Sequence, residues 1–205
     1  MEFIVSSGMP RSASTLLYNI LREILIARHT QACVSAVWDE DPNFQVNTKV
    51  LLVKTHVLRK IHLQKATHIF YSFRDVRVSL LSNFRMFGEE PSIAFVRKYI
   101  HEWQKAQEYA DMSFPYDTLT KQTASVIERI AFYLQIPVIV ESILSHIESY
   151  SHSASKIPPP TETMLHPNHR TFTNDEEWKT QLDLSLQKQI HREFSWWFHE
   201  NGYPI

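Results

Sequence analysis

Hydrophobic positions fall into short runs and spaced faces that alternate along the chain. The first run, Phe3-Ile4-Val5 inside EFIVSS, predicts a β-strand. After the polar stretch PRSAST, residues Leu17, Ile20, Leu21, Ile24 and Leu25 recur at three- and four-residue spacing, which predicts an amphipathic helix. VWDEDPNF (37–44) is polar and holds a proline, so it reads as a connection. KVLLVKTH (49–56) contains the apolar run Val50–Val53, and THIFYSF (67–73) contains another. Both are short and bounded by polar residues, so both predict buried strands. In SVIERIAFYL (125–134), Val126, Ile127, Ile130, Ala131 and Leu134 share one helical face. SHSASKIPPPTETM (151–164) is rich in Ser and Pro and predicts a mobile loop reaching about residue 175. Leu184, Leu186, Ile190, Phe194, Trp197 and Phe198 predict a closing helix. Strands separated by helical stretches imply a parallel central sheet flanked by crossover helices. The expectation is one α/β domain over residues 1–205.

Composition narrows the function classes. Apolar content of 43% and charged content of 21% suit a folded globular chain. A formal net charge of −1 gives no bulk support for nucleic-acid binding, so any basic site must be local. The single cysteine, Cys33, excludes an intramolecular disulfide. No apolar stretch approaches the roughly 18 residues of a membrane span, and EFIVSS reads as a strand, not a signal peptide. These features point to a cytoplasmic protein with no membrane and no nucleic-acid partner. Oligomeric state leaves no readable signal.

Open parallel sheets bind ligands beyond the carboxyl ends of their strands. Three predicted strands are followed by chemically loaded segments: PRSAST after the first, Lys54-Thr55-His56 after the second, and RDVRVSLLS after the third. They place Arg11, Lys54, His56, Arg74 and Arg77 at one sheet edge, a local cation concentration suited to an anionic ligand. Taken singly, each has a plain structural explanation. A lone Arg or Lys at a strand end is usually solvated, and RDVR alone reads as a helix start with an acidic residue and a surface salt bridge. The joint occurrence after three strands carries the argument.

PRSASTLL, KTH and YSFRDVRVSLLSNF resemble, in that order, three segments of sulfotransferases that use 3′-phosphoadenosine 5′-phosphosulfate (PAPS): the 5′-phosphosulfate loop, the Lys-Thr-His segment and the 3′-phosphate segment. The resemblance runs to about Leu134 and implies a P-loop-like sulfotransferase fold. It implies that Arg11 and Ser12, Ala13, Ser14 and Thr15 surround the 5′-phosphosulfate, and that Arg74 and Ser82 hold the 3′-phosphate. FPYDTL resembles the segment whose tyrosine lies near the adenine, which nominates Tyr116. His56 becomes the candidate base, with Lys54 and Arg11 as catalytic cations. Arg170 is a candidate late phosphate contact. The implied cofactor is PAPS, with product PAP and no metal, and the implied partner is a small-molecule or carrier-borne acceptor.

The chemistry fits these residue types. A helix N-terminus offers unpaired amides to one anion, and an arginine fork suits the second. A neutral histidine with an ordinary pKa of about 6.5 suits proton removal from an acceptor. The chain departs from the family at Ala13, where Gly is usual and a positive φ would be strained, and at Leu16, where an aromatic often stacks on adenine. It also lacks a glycine-rich C-terminal segment. The main alternative is a P-loop kinase. GMPRSAST has the spacing of GxxxxGK[ST], but Ala13 and Ser14 replace the Gly-Lys pair. A non-catalytic nucleotide-binding module is the third reading. Trp38, Phe44, Phe84 and Phe87 are candidates for an apolar acceptor pocket, though core packing accounts for aromatics equally well.

Overall fold

The computed structural model describes residues 1–39, 48–153, 163–164 and 175–205. Its strands are β1 (Glu2–Gly8), β2 (Val34–Trp38), β3 (Val50–Thr55), β4 (His68–Phe73) and β5 (Met112–Pro115). They form one parallel sheet in the order β2-β3-β1-β4-β5. The helices are α1 (Ser14–His29), α2 (Lys60–Lys65), α3 (Val76–Phe87), α4 (Ile93–Tyr109), α5 (Tyr116–Lys121), α6 (Thr123–Tyr133), α7 (Val140–Ser153), α8 (Trp178–Gln181) and α9 (Leu184–Glu200). The fold is a single α/β domain, as the alternation of runs and faces predicts.

Successive residues of β1 point to opposite faces of the sheet and feed two separate cores. Ile4 packs with Leu52, Phe70, Leu17, Ile20 and Ile24 beneath α1, α6 and α7. Val5 packs with Ile69, Tyr71, Trp103 and Trp197 beneath α4 and α9. Because both faces are covered, the central strands read as continuous apolar runs. From β3 the chain crosses over β1 to reach β4, so the connections on either side of β1 diverge. This makes a switch point beyond the carboxyl ends of β3, β1 and β4, the place where open sheets of this kind bind ligands.

Two sequence expectations are corrected. The polar connection expected from residue 37 begins later, because Val37 and Trp38 complete β2. β2 is an edge strand with every residue half-buried, so it shows neither a buried run nor a long alternation. The loop expected from 151 begins as helix, because α7 carries through Ser153. The remainder of that loop, residues 154–162 and 165–174, lies outside the described residues, as do residues 40–47 with Phe44. Thr163 is buried, and its carbonyl accepts from Asn19 Nδ2 at 3.0 Å, so the chain returns to α1 there.

Arg77 was expected among the edge cations, but it turns inward. Its side chain is fully buried, between the rings of Trp178 and Phe198, which lie 3.8 and 4.1 Å from the guanidinium carbon. It pairs with Asp75 at 2.6 Å and donates to the Pro204 carbonyl at 2.6 Å and to His191 Nε2 at 2.9 Å. Asp75 also caps α3 through the Arg77 amide. The charge of Arg77 therefore fixes the start of α3, and with it the direction of Arg74. Removing it leaves the Asp75 carboxylate buried without its counter-charge. Arg77→Ala is expected to lose about 3–5 kcal/mol of stability, measurable as a shift in the urea unfolding midpoint. A loss below about 1 kcal/mol would refute the structural role.

Candidate functional site

The loop after β1 is built by close backbone approach. Gly8 lies against β4: a Cβ there would come within 3.1 Å of the Ser72 carbonyl and 3.0 Å of Ser14 Cβ, so glycine is required. The Met9 amide bonds the Ser72 carbonyl at 2.8 Å. Ser12 is fully buried, and its hydroxyl lies 2.6 Å from the Met9 carbonyl and 2.7 Å from Ser72 Oγ. Its amide also returns to Met9. Ser12 thus spends its polar groups on the shape of the loop. Arg11 and Ala13 both adopt the left-handed region, with φ of 63° and 62°. Each costs on the order of 1 kcal/mol in a residue with a Cβ.

Ala13 is the N-cap of α1 and supplies no side-chain acceptor, and the first turn carries no acidic residue. A left-handed residue before a right-handed helix turns the first amides toward a common point, where an anion can be bound. Ser14 and Thr15 occupy that first turn and are buried.

Lys54 reaches this turn from β3, donating from Nζ to Thr15 Oγ1 at 2.6 Å. It is 4% exposed and pairs with no carboxylate of the described residues. Burial, reinforced by Arg11, pushes its pKa down to about 7. The Trp38 ring lies beneath it, 5.1 Å from Nζ to the ring centre. Thr55 and His56 follow. The Thr55 hydroxyl bridges Asp39 Oδ2 at 3.1 Å with both the Val57 amide and the Val57 carbonyl. The strand therefore bends at His56.

His56 Nδ1 lies 2.6 Å from the Gly8 carbonyl. A carbonyl only accepts, so Nδ1 carries the proton and the neutral ring leaves Nε2 unprotonated. Burial, then Lys54, lowers the His56 pKa to about 4. The ring is therefore neutral at physiological pH and presents a basic nitrogen. Trp38 meets it edge-on, 5.4 Å between centroids at 70°.

A second cation group lies on the far side of β1. Arg11 Nε donates to the buried Ser82 Oγ at 3.0 Å. Arg74 stacks over the Tyr116 ring at 3.8 Å and pairs with Asp175 Oδ1 at 2.8 Å. Burial, then the Arg74 charge, lowers the Arg11 pKa, so the two guanidinium groups are close enough to repel.

The structure thus gathers Arg11, Ser12, Ala13, Ser14, Thr15, Lys54, His56, Arg74, Ser82 and Tyr116 beyond the carboxyl ends of β3, β1 and β4. Arg170 lies outside the described residues. Two features were not read from the sequence. Asp39 binds the ends of β2 and β3 together: its amide donates to the Lys54 carbonyl at 3.0 Å, and its carboxylate meets Thr55, Arg59 and His62. No motif marks it. Asp175 sits 101 residues from the arginine it pairs with, so spacing carries no signal.

Lys54 gives a test of the site in the free protein. Its folded pKa lies below its ordinary value of 10.5, so the unfolded chain binds the extra proton between about pH 7 and 10.5. The cost of burying this charge is full below pH 7 and fades as pH rises through that window. Lys54→Met is expected to stabilise the ligand-free protein at pH 7 by about 1–3 kcal/mol, to flatten the rise in stability above pH 7, and to weaken binding of a phosphate-type anion. Thermal unfolding across pH, with and without pyrophosphate, measures all three. A less stable variant that binds the anion equally well would remove Lys54 from the site.

Comparisons with protein-family models and with curated proteins found no match to this chain. Solved structures do share its fold. Mouse sulfotransferase SULT7A1 complexed with PAP is similar at a TM-score of 0.65 and 15% identity, over 95% of this chain and 83% of that one. Retinol dehydratase in complex with androsterone and the inactive cofactor PAP is similar at a TM-score of 0.61 and 13% identity, over 94% of this chain and 79% of that one. Retinol dehydratase with retinol and PAP gives a TM-score of 0.59 at 14% identity, over 94% and 80%. At such identities the likeness is one of fold, and the chemistry must be argued from the side chains.

Proposed function

We propose that this chain is a sulfotransferase that moves a sulfuryl group from PAPS to an acceptor hydroxyl or amine. The observation that carries this reading is the presence of two cation groups on either side of β1 together with a neutral histidine whose Nδ1 is tied to Gly8 and whose Nε2 is unprotonated. PAP in the fold neighbours supports the same choice of cofactor.

The residues fit the two anions of such a cofactor. Lys54 is a buried cation with no carboxylate among the described residues, beside a helix start with no side-chain cap. It would hold the 5′ group together with Thr15, Ser14 and the first amides of α1. Arg74 and Ser82 would hold the 3′-phosphate, with Arg11 bonded to Ser82 and shared between the two ends. Tyr116, already flat against Arg74, would border the adenine. PAPS supplies an activated sulfuryl group and a phosphate leaving group.

The chain's own contribution is positioning and charge. His56 Nε2 takes the acceptor proton as the acceptor oxygen or nitrogen bonds to sulfur. Its Nδ1–H bond to Gly8 keeps the ring in the tautomer that can do so. Lys54 and Arg11 face the charge that grows on the leaving side. An anion placed against them also offsets the neighbouring charges that hold the His56 pKa down.

Three measurements test this reading. His56→Ala is expected to lower turnover by about 10²–10⁴-fold while leaving the PAP dissociation constant nearly unchanged. Near wild-type turnover would exclude His56 as the base, and a silent wild type that binds PAP would favour a non-catalytic module. Transfer from PAPS is expected to persist in EDTA. A strict need for Mg²⁺ with ATP as donor would favour the kinase alternative, whose metal bridges the phosphates. By calorimetry, PAP is expected to bind about a hundredfold more tightly than AMP, given charge-assisted bonds from Arg74 and Ser82. Equal affinities would overturn the 3′-phosphate assignment.

A further inference from the structure

Arg74 is not an idle ligand. Its guanidinium is buried to 8% exposure, stacked on Tyr116 and paired at 2.8 Å with the carboxylate of Asp175. Asp175 is 60% exposed, so a displaced carboxylate returns to solvent at little cost. Its backbone is held in place. Two residues on, Glu177 pairs with Arg85 on α3 at 2.6 Å. Trp178 is buried against Val78, Leu81 and Leu182 and covers Arg77. The turn at 175–177 is thereby strapped along α3, with one carboxylate aimed at the arginine that opens it.

From this arrangement we infer that Asp175 is a specificity-determining residue: an internal anion that occupies Arg74 in the free protein and must be displaced by the ligand's terminal phosphate. The inference rests on the proposed role of Arg74 toward a 3′-phosphate. A carboxylate carries one charge and two oxygens, whereas a phosphate monoester near neutral pH carries up to two charges and three acceptor oxygens. The phosphate wins, but only by the difference between the two pairings. A nucleotide without a 3′-phosphate displaces nothing and leaves Arg74 satisfied by Asp175. The carboxylate thus weakens PAP selectively and gives Arg74 a counter-charge whenever the site is open. Arg11 and Tyr203 share this neighbourhood electrostatically. Among the described residues, Asp175 is the carboxylate that forms an ion pair with Arg74.

The test is calorimetric binding of PAP and AMP to the wild type, Asp175→Asn, Arg74→Ala and the double variant. Asp175→Asn is expected to tighten PAP by about tenfold, the scale of an exposed-to-buried ion pair plus relief of carboxylate–phosphate repulsion. AMP is expected to change by less than about twofold, so the PAP-to-AMP preference rises. In the Arg74→Ala background the same substitution is expected to have no such effect, because the competed group is gone. An unchanged preference, weaker PAP binding in Asp175→Asn, or a gain that survives Arg74→Ala would each overturn this inference while leaving the sulfotransferase reading intact. A wild type that binds PAP no better than AMP overturns the 3′-phosphate assignment and this inference with it. The Asp175→Asn thermal midpoint, expected within a few degrees of wild type for an exposed side chain, confirms that the comparison is between folded proteins.

Discussion

Burying several like charges at one sheet edge is the constraint around which the rest of the structure is arranged. Lys54, Arg11 and Arg74 all lie at the carboxyl ends of adjacent strands, and the lowered pKa values of Lys54 and Arg11 record desolvation first, then repulsion from Arg11 and Arg74 respectively. The protein answers Arg74 with the exposed Asp175 carboxylate and otherwise sets neutral groups against these charges. Thr15 accepts from Lys54, Ser82 accepts from Arg11, and the rings of Trp38 and Tyr116 offer their faces to Lys54 and Arg74. Hydroxyls and π-faces blunt the desolvation cost without adding a negative charge of their own. On the proposed reading, an anionic ligand supplies that charge.

Arg77 shows the opposite solution within the same motif. It lies three residues from Arg74, yet its charge is cancelled by Asp75 and its donors are spent on Pro204 and His191. The two arginines of RDVR therefore divide the work. One is paired inside the core and locks the start of α3, while the other stacks on Tyr116 and meets the exposed carboxylate of Asp175. A buried, fully bonded ion pair is weak as a source of net stability but effective at fixing direction. That is what Arg74 would need from its neighbour in the phosphate-binding role proposed for it.

Much of this was legible in the sequence because the determinants are local. The strands β1, β3 and β4 announce themselves as apolar runs, since both faces of each are covered, and α1, α6 and α9 announce themselves by periodicity. The site residues could be nominated because parallel topology sends them to one edge. The edge strand β2 was missed because one-sided burial leaves five residues without a pattern. The fate of Arg77 was missed because it depends on Trp178, His191, Phe198 and Pro204, all more than a hundred residues away. Position after a strand identifies which charges reach the edge. It does not identify which of them will be cancelled there.

The loop at Ala13 shows how the same constraint reaches the backbone. A helix placed to receive an anion needs its first amides free, so its N-cap cannot be an Asp or Ser that consumes them. Ala13 meets that need but adopts a positive φ that glycine would take without strain. The strain is borne because Gly8, Met9 and Ser12 are locked to β4 through Ser72, which leaves the chain one short route from β1 to α1. Arg11 shares the left-handed conformation on that route, and the same geometry carries its side chain across to Ser82. The unfavourable backbone and the crowded cations thus belong to one device. On the proposed reading, local stability is given up where the sheet edge receives an anion, and the two apolar cores on either face of β1 make the sacrifice tolerable.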